Sequence, residues 1–389
     1  MKSKKSLGGS VNSIWQSIAD YIRETNKTLL ILCIIASVFG CALIYSAMHY
    51  TGSNRTVITQ MGAVLLGVIS AVGVSLIDYK SLTKHPSIFI IGSILLLALT
   101  YFIGYAPEGT ENKAWIELPF GMSLQVSEII KISMILTFSH HVQSLNADEI
   151  NRPKNLILLS FHALIFPALV MILQRDLGTV IIMLCIALCM MFAAGVKIRY
   201  FILAFSALGL MSPFIWFFGL SEYQKERFSI IANLEADPMG LGYQQLQGLN
   251  AIGSGGLFGE GYLNGTYIQS ASVPKAYNDF IFAVAGNELG FVGCILVVLI
   301  LTVIILRIMQ ISNTSHDIQG KIICFGVFGM FASQILVNLG MVLSILPVIG
   351  VTLPFFSAGG SSLVMLFVSI GLTLSVYINR FKRSVSLND

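Results

Sequence analysis

Apolar runs long enough to cross a bilayer recur at roughly 28–48, 57–77, 87–105, 127–145, 156–173, 177–196, 199–220, 280–308, 321–343 and 361–379. A helix needs about 20 predominantly apolar residues to span hydrocarbon, so the pattern predicts about ten transmembrane helices. The first run is too long for a signal-peptide core of about 7–15 residues and reads as a span. Ahead of it, "VNSIWQSIADYIRET" sets Val11, Ile14, Trp15, Ile18, Tyr21 and Ile22 on one face, the pattern of a helix lying in the membrane interface. Before the last run, "LPVIGVTLPFFSAGGSS" is apolar but interrupted by Pro347, Gly350, Pro354, Gly359 and Gly360. Irregular backbone at membrane depth survives only when buried in protein or lining a cavity, so this stretch predicts a broken or re-entrant segment.

Composition fixes the class. Of 389 residues, 55% are hydrophobic and 11% charged, where a soluble domain carries about 25% charged. The fold class is therefore an all-α polytopic membrane protein. A net charge of +4 is small and the basic residues are scattered over loops, so nothing suggests a nucleic-acid surface. The six cysteines all lie in apolar runs without CxxC spacing and read as small buried hydrophobes. Residues 1–27 form a tail, 28–379 a membrane domain and 380–389 a second tail. Lys and Arg fall mainly in the tails and in the loops after the second, fourth, sixth and eighth runs, which places both termini in the cytoplasm. The long loop between helices 7 and 8, about 221–278, then faces outward. So do "WIELPFGMSLQVSEIIK", "QRDLGT", "PFFSAGGSS" and the approach to Asp279.

Asp279 opens the eighth run. Asn278 is the expected N-cap, which puts Asp279 in the first turn, where the helix dipole favours an anion and a dry neighbourhood opposes it. Ala283, Gly286, Gly290 and Gly293 follow at spacings that form a seam of small residues, open to close helix approach. Glu288, nine residues on, faces the opposite side; it is either a buried polar strut or a proton carrier. Glu128 and Lys131, three apart, share a helix face. They form a self-neutralising pair, or Lys131 meets an anionic group such as phosphate. Asp176 and Thr179 read as a helix cap, leaving Gln174 and Arg175 to line a polar mouth. The glycine-rich "GSGGLFG" matches no phosphate-loop template, and His140–His141, on adjacent helix faces, is a poor metal site.

Taken together the motifs resemble the SEDS family (shape, elongation, division and sporulation). They are Trp115-Ile116, Gln125…Ser127-Glu128…Lys131, Gln174-x-Asp176-Leu-Gly-Thr179, Asp237-Pro238…Gly242-Tyr243-Gln244, Ala251-Ile-Gly-Ser-Gly-Gly256, Asp279-Phe-Ile-Phe282, Asn338-x-Gly340-Met341 and Gly359-Gly-Ser-Ser362. "GYLNGTY" and the short tails lean towards the RodA branch. Departures stand at Pro274-Lys275-Ala276-Tyr277-Asn278, where the family often has Pro-Glu-x-His-Thr, and at Asn287, Val126, Ala114 and Ala358.

The resemblance implies a peptidoglycan glycosyltransferase of the bacterial cytoplasmic membrane, polymerising lipid II at its outer face beside a class B penicillin-binding protein transpeptidase. It makes Asp279 the catalytic base. Lys131, Glu128, Gln125, Asp176, Gln174, Trp115, Arg227, Asn338, Ser361 and Ser362 become the cavity around lipid II and the polyprenyl-linked nascent glycan. Lys131, Arg227 or a bound Mg²⁺ or Mn²⁺ would meet the diphosphate charge. Two other classes of function fit a polytopic chain: a flippase or transporter of lipid-linked precursors, and a non-catalytic scaffold for a wall synthase. Transporter sites lie near the midplane at a repeat interface, whereas these motifs gather at one face.

Overall fold

The computed structural model describes residues 24–106, 112–118, 122–232, 234 and 240–380. The interfacial helix expected at 11–22, the Asp237-Pro238 pair and the tail beyond Arg380 lie outside the described residues. Each of the ten apolar runs is a helix. They are α1 (Lys27–Met48), α2 (Arg55–Leu76), α4 (Pro86–Ile103), α5 (Val126–Gln143), α6 (Pro153–Gln174), α7 (Leu177–Ala193), α8 (Ile198–Phe214), α12 (Ile281–Thr314), α13 (Ile318–Val342) and α14 (Gly360–Asn379). Short helices intervene: α3 (Tyr79–Thr83), α9 (Glu222–Ala232), α10 (Leu241–Ser254) and α11 (Thr266–Gln269). Among the described residues eight helices are long and apolar enough to cross a membrane, and α7 is a shorter apolar helix. The protein is a multi-pass membrane protein.

Burial ranks the helices. In α13 and α14, 78% and 72% of the apolar window is enclosed by protein, against 6% in α8, so α13 and α14 form the centre and α8 the periphery. Small residues permit the tightest contacts. A Cβ on Gly371 of α14 would stand 2.6 Å from the Ala71 carbonyl of α2, and one on Gly326 of α13 would press on Ile135 of α5. Such small-residue faces substitute for the hydrophobic drive that is absent between helices in lipid.

Two features modify the all-α expectation. Ahead of α5, β1 (Trp115–Leu118) pairs antiparallel with β2 (Met122–Gln125), with Trp115 opposite Gln125. Val126 N–H donates to the Ala114 carbonyl at 3.1 Å, so the strand pair leads directly into α5. The second feature is a break inside α12, where Gly290 has φ 68 and ψ −161. The loop after α10 fills that break. Glu260 and Gly261 donate to the Asn287 and Glu288 carbonyls at 3.0 and 3.1 Å, and Phe291 and Val292 donate to the Gly256 and Leu257 carbonyls at 2.9 and 3.2 Å. The glycine-rich run is thus a backbone patch for a discontinuous helix, which keeps freed peptide groups paired.

The stretch between α13 and α14 is non-helical, as its prolines and glycines predict, and largely buried. Side chains supply the partners that regular structure would have given. Gln60 Nε2 donates to the Ser357 carbonyl at 3.0 Å and its Oε1 accepts from Gly359 N–H at 3.1 Å. Ser357 Oγ accepts from Leu353 N–H at 2.9 Å. Buried backbone groups without such partners would be costly.

Candidate active site

Asp279 lies two residues ahead of α12, not in its first turn: the helix starts at Ile281 with Phe280 at the N-cap position and no side-chain cap. The expected Asn278 cap is replaced by a turn in which Asn278 N–H donates to the Lys275 carbonyl at 3.0 Å. Asp279 is 7% exposed, and its carboxylate makes no hydrogen bond to a described residue. Burial pushes its pKa from 3.8 to about 6, while Lys275 and Arg227 pull in the opposite direction. Desolvation therefore outweighs charge here. A carboxylate with that pKa is mostly ionised at neutral pH and is basic enough to take a proton.

Its backbone is fixed from below. Asn338 Nδ2, in α13, donates to the Asp279 carbonyl at 2.9 Å and to the Val351 carbonyl at 2.7 Å. Gly350, with φ 69, lies against the carboxylate: a Cβ there would stand 3.9 Å from Asp279 Oδ2. The next layer is the start of α7. A Cβ on Gly178 would stand 2.7 Å from the Ile349 carbonyl and 3.6 Å from Asp176 Oδ1. Residues 349–351 are thus sandwiched between Asp279 and the Asp176 turn.

Asp176 caps α7 as expected, accepting from Thr179 N–H at 3.0 Å and Thr179 Oγ1 at 2.8 Å. It also accepts from Gln125 Nε2 at 3.3 Å. Gln125 N–H in turn donates to Ser361 Oγ at 3.2 Å. Trp115, across from Gln125, holds the edge of the strand pair that presents it. Ser362 is buried beside this layer. Gln125, Asp176, Ser361, Asn338 and Asp279 are therefore brought to one end of the bundle through contacting residues.

One residue departs from the sequence expectation, and the charged residues take distinct places. Gln174 does not line a mouth: it is buried and donates to Thr100 Oγ1 of α4 at 3.0 Å. Lys131 is 1% exposed and paired with Glu128 at 2.8 Å, so it is enclosed with its counter-ion. Arg227 lines a cleft together with Arg175. Glu288 is buried and accepts from Ser46 Oγ of α1 at 2.5 Å and Gln269 Nε2 of α11 at 3.1 Å. Around Asp279 the charged groups are cations, and among the described residues no three His, Cys, Asp or Glu side chains converge. The described residues therefore form no protein cage for Mg²⁺ or Mn²⁺.

A sequence profile described as "Cell cycle protein" (FTSW_RODA_SPOVE) matches residues 26–382, which is nearly the whole chain. The chain belongs to this family. It is 31% identical to the peptidoglycan glycosyltransferase MrdB of Escherichia coli over 364 residues, covering 93% of this chain and 96% of MrdB. Stage V sporulation protein E of Bacillus subtilis is 30% identical over 92% of this chain and 96% of its own length. A chain from a peptidoglycan synthase complex coordinating polymerization and crosslinking superposes with TM-score 0.78 at 25% identity, covering 92% of this chain and 99% of that one. The rod shape determining protein RodA of Thermus thermophilus shares the fold, with TM-score 0.68 at 23% identity over 92% of this chain and 98% of its own. The family match accounts for the order of the motifs. The geometry above accounts for what each does in the packing, and Gly350, Gly178 and Gln60 join the site without having been singled out as such in the sequence.

Proposed function

We propose that this member of the family is a peptidoglycan glycosyltransferase that polymerises lipid II, with Asp279 as general base. The observation that carries the reading is the buried carboxylate, without a hydrogen bond to any described residue, its backbone pinned by Asn338 and its pKa raised to about 6. In the proposed step Asp279 takes the proton of the acceptor sugar's 4-hydroxyl. The acceptor oxygen bonds to the anomeric carbon of the donor, the bond from that carbon to the lipid diphosphate breaks, and the diphosphate leaves with the electron pair. One base opposite the leaving group gives inversion. Positioned bases contribute about 10²–10⁴-fold.

Both substrates are lipid-tethered, so the base belongs where polar loop meets acyl chain. The distribution of Lys and Arg supports an extracytoplasmic site with both termini inside. The likeness to a chain of a polymerising and crosslinking complex supports a class B penicillin-binding protein as partner. The test is direct: purified protein with lipid II, with and without that transpeptidase, read as glycan strands on a gel. Strands made by the wild type support the proposal, and lipid II translocated without polymerisation would point to a transporter instead.

A further inference from the structure

Arg175 and Arg227 line one cleft, together with Asn112, Gln224, Ile349 and the first turn of α7 at Leu177. Its ionisable lining groups are both cations. Arg175 is the C-cap of α6, in the left-handed region at φ 55, a conformation costing a non-glycine residue about 1–2 kcal/mol. That turn reverses the chain between α6 and α7 and leaves the Arg175 side chain exposed. The adjacent carboxylate, Asp176, is occupied with Thr179 and Gln125, and the Arg175 guanidinium makes no ion pair or hydrogen bond to a described residue.

The cleft adjoins the base. Ile349 lines it, and the next residue, Gly350, lies against Asp279 Oδ2. Arg227 also acts on the Asp279 charge from this side. Lys131 is enclosed and paired with Glu128.

We infer that Arg175 and Arg227 form the subsite that holds the diphosphate of the lipid-linked sugar donor. The inference rests on the glycosyltransferase reading. Guanidinium groups match phosphate oxygens with paired charge-assisted hydrogen bonds, and two of them meet two phosphates. As the sugar–oxygen bond breaks, negative charge grows on the diphosphate, and fixed cations there stabilise it more than the ground state.

The test is binding of undecaprenyl diphosphate and undecaprenyl monophosphate to the purified full chain in detergent micelles, alongside lipid II polymerisation. Arg175→Ala and Arg227→Ala should each weaken diphosphate binding about tenfold or more, the loss of a charge-assisted contact. The monophosphate should lose less, Arg175→Lys should keep part of the affinity, and KM for lipid II should rise in the alanine variants. Unchanged diphosphate affinity in Arg175→Ala, at a wild-type melting temperature and with wild-type protein polymerising, overturns the subsite alone. Arginine-dependent diphosphate binding by a wild type that makes no glycan supports the subsite and sinks the glycosyltransferase reading.

Discussion

The side-chain amide of Asn338 donates to two carbonyl oxygens at once, that of Asp279 at 2.9 Å and that of Val351 at 2.7 Å. One nitrogen thus ties the candidate base to the irregular segment that faces it. Asn338→Leu leaves two buried carbonyls unpaired, at about 1–3 kcal/mol each. Asn338→Asp fails too, because an ionised carboxylate accepts and cannot donate. Both variants should melt several degrees lower and lose polymerisation; retention of wild-type melting and turnover by Asn338→Asp would show that the amide has no positioning role.

Asp279 sets a pH signature. Unfolded, an aspartate titrates near 3.9; folded, this one titrates at about 6. The folded protein therefore binds more protons between those values, so stability falls as pH rises through the window and levels off above 6. At neutral pH the penalty is about 3 kcal/mol. Asp279→Asn removes it, so that variant should melt higher than wild type at pH 7.5, with the gain vanishing towards pH 4. Activity runs oppositely in the wild type, rising through about pH 6 as the base ionises. An activity profile flat from pH 5 to 8, with no stability gain in Asp279→Asn, would remove the titration argument.

Glu128 and Lys131 offer a charge-pair cycle. Removing one partner of a buried pair costs about 3–5 kcal/mol, while replacing both by neutral groups is often close to neutral. Lys131→Met and Glu128→Gln should each destabilise the protein, and the double variant should recover most of the melting temperature. If the double variant also recovers polymerisation, the pair is structural; folded but inactive double-variant protein would return Lys131 to the substrate.

The patched helix break makes a steric prediction. A Cβ on Gly259, at φ 82, would overlap the Glu288 carbonyl of α12. Gly259→Ala therefore forces the loop off the break and exposes the carbonyls of Asn287 and Glu288. Expression and melting temperature should both drop sharply, and far more than for Gly253→Ala, whose Cβ meets nothing within 4 Å. Equal effects at the two positions would contradict the docking.

Much of this was legible in the chain because an apolar run of about 20 residues is a strong signal. All ten helices follow from it, as do the Glu128–Lys131 pair and the Asp176 cap, which depend only on local spacing. The strand pair was hidden because Trp115–Gln125 runs into an apolar helix and its alternation is only four residues per strand. The start of α12 shifted past Asn278 because tertiary contacts, from Asn338 and from Ala358 N–H to the Tyr277 carbonyl, hold 277–279 in a turn against local capping preference. Gln174 was misplaced since its partner, Thr100, is 74 residues away. The break at Gly290 looked like one more small residue in a packing seam. Only the partner loop, with its own glycines, shows that the helix is interrupted there.

Polymerisation of lipid II by purified Asp279→Asn in complex with the transpeptidase, compared with wild type at pH 7.5, tests the central claim most directly. The variant should be folded, at least as heat-stable as wild type, and slower by about 10²-fold or more. Glycan strands formed at the wild-type rate by that folded variant would contradict Asp279 as the base.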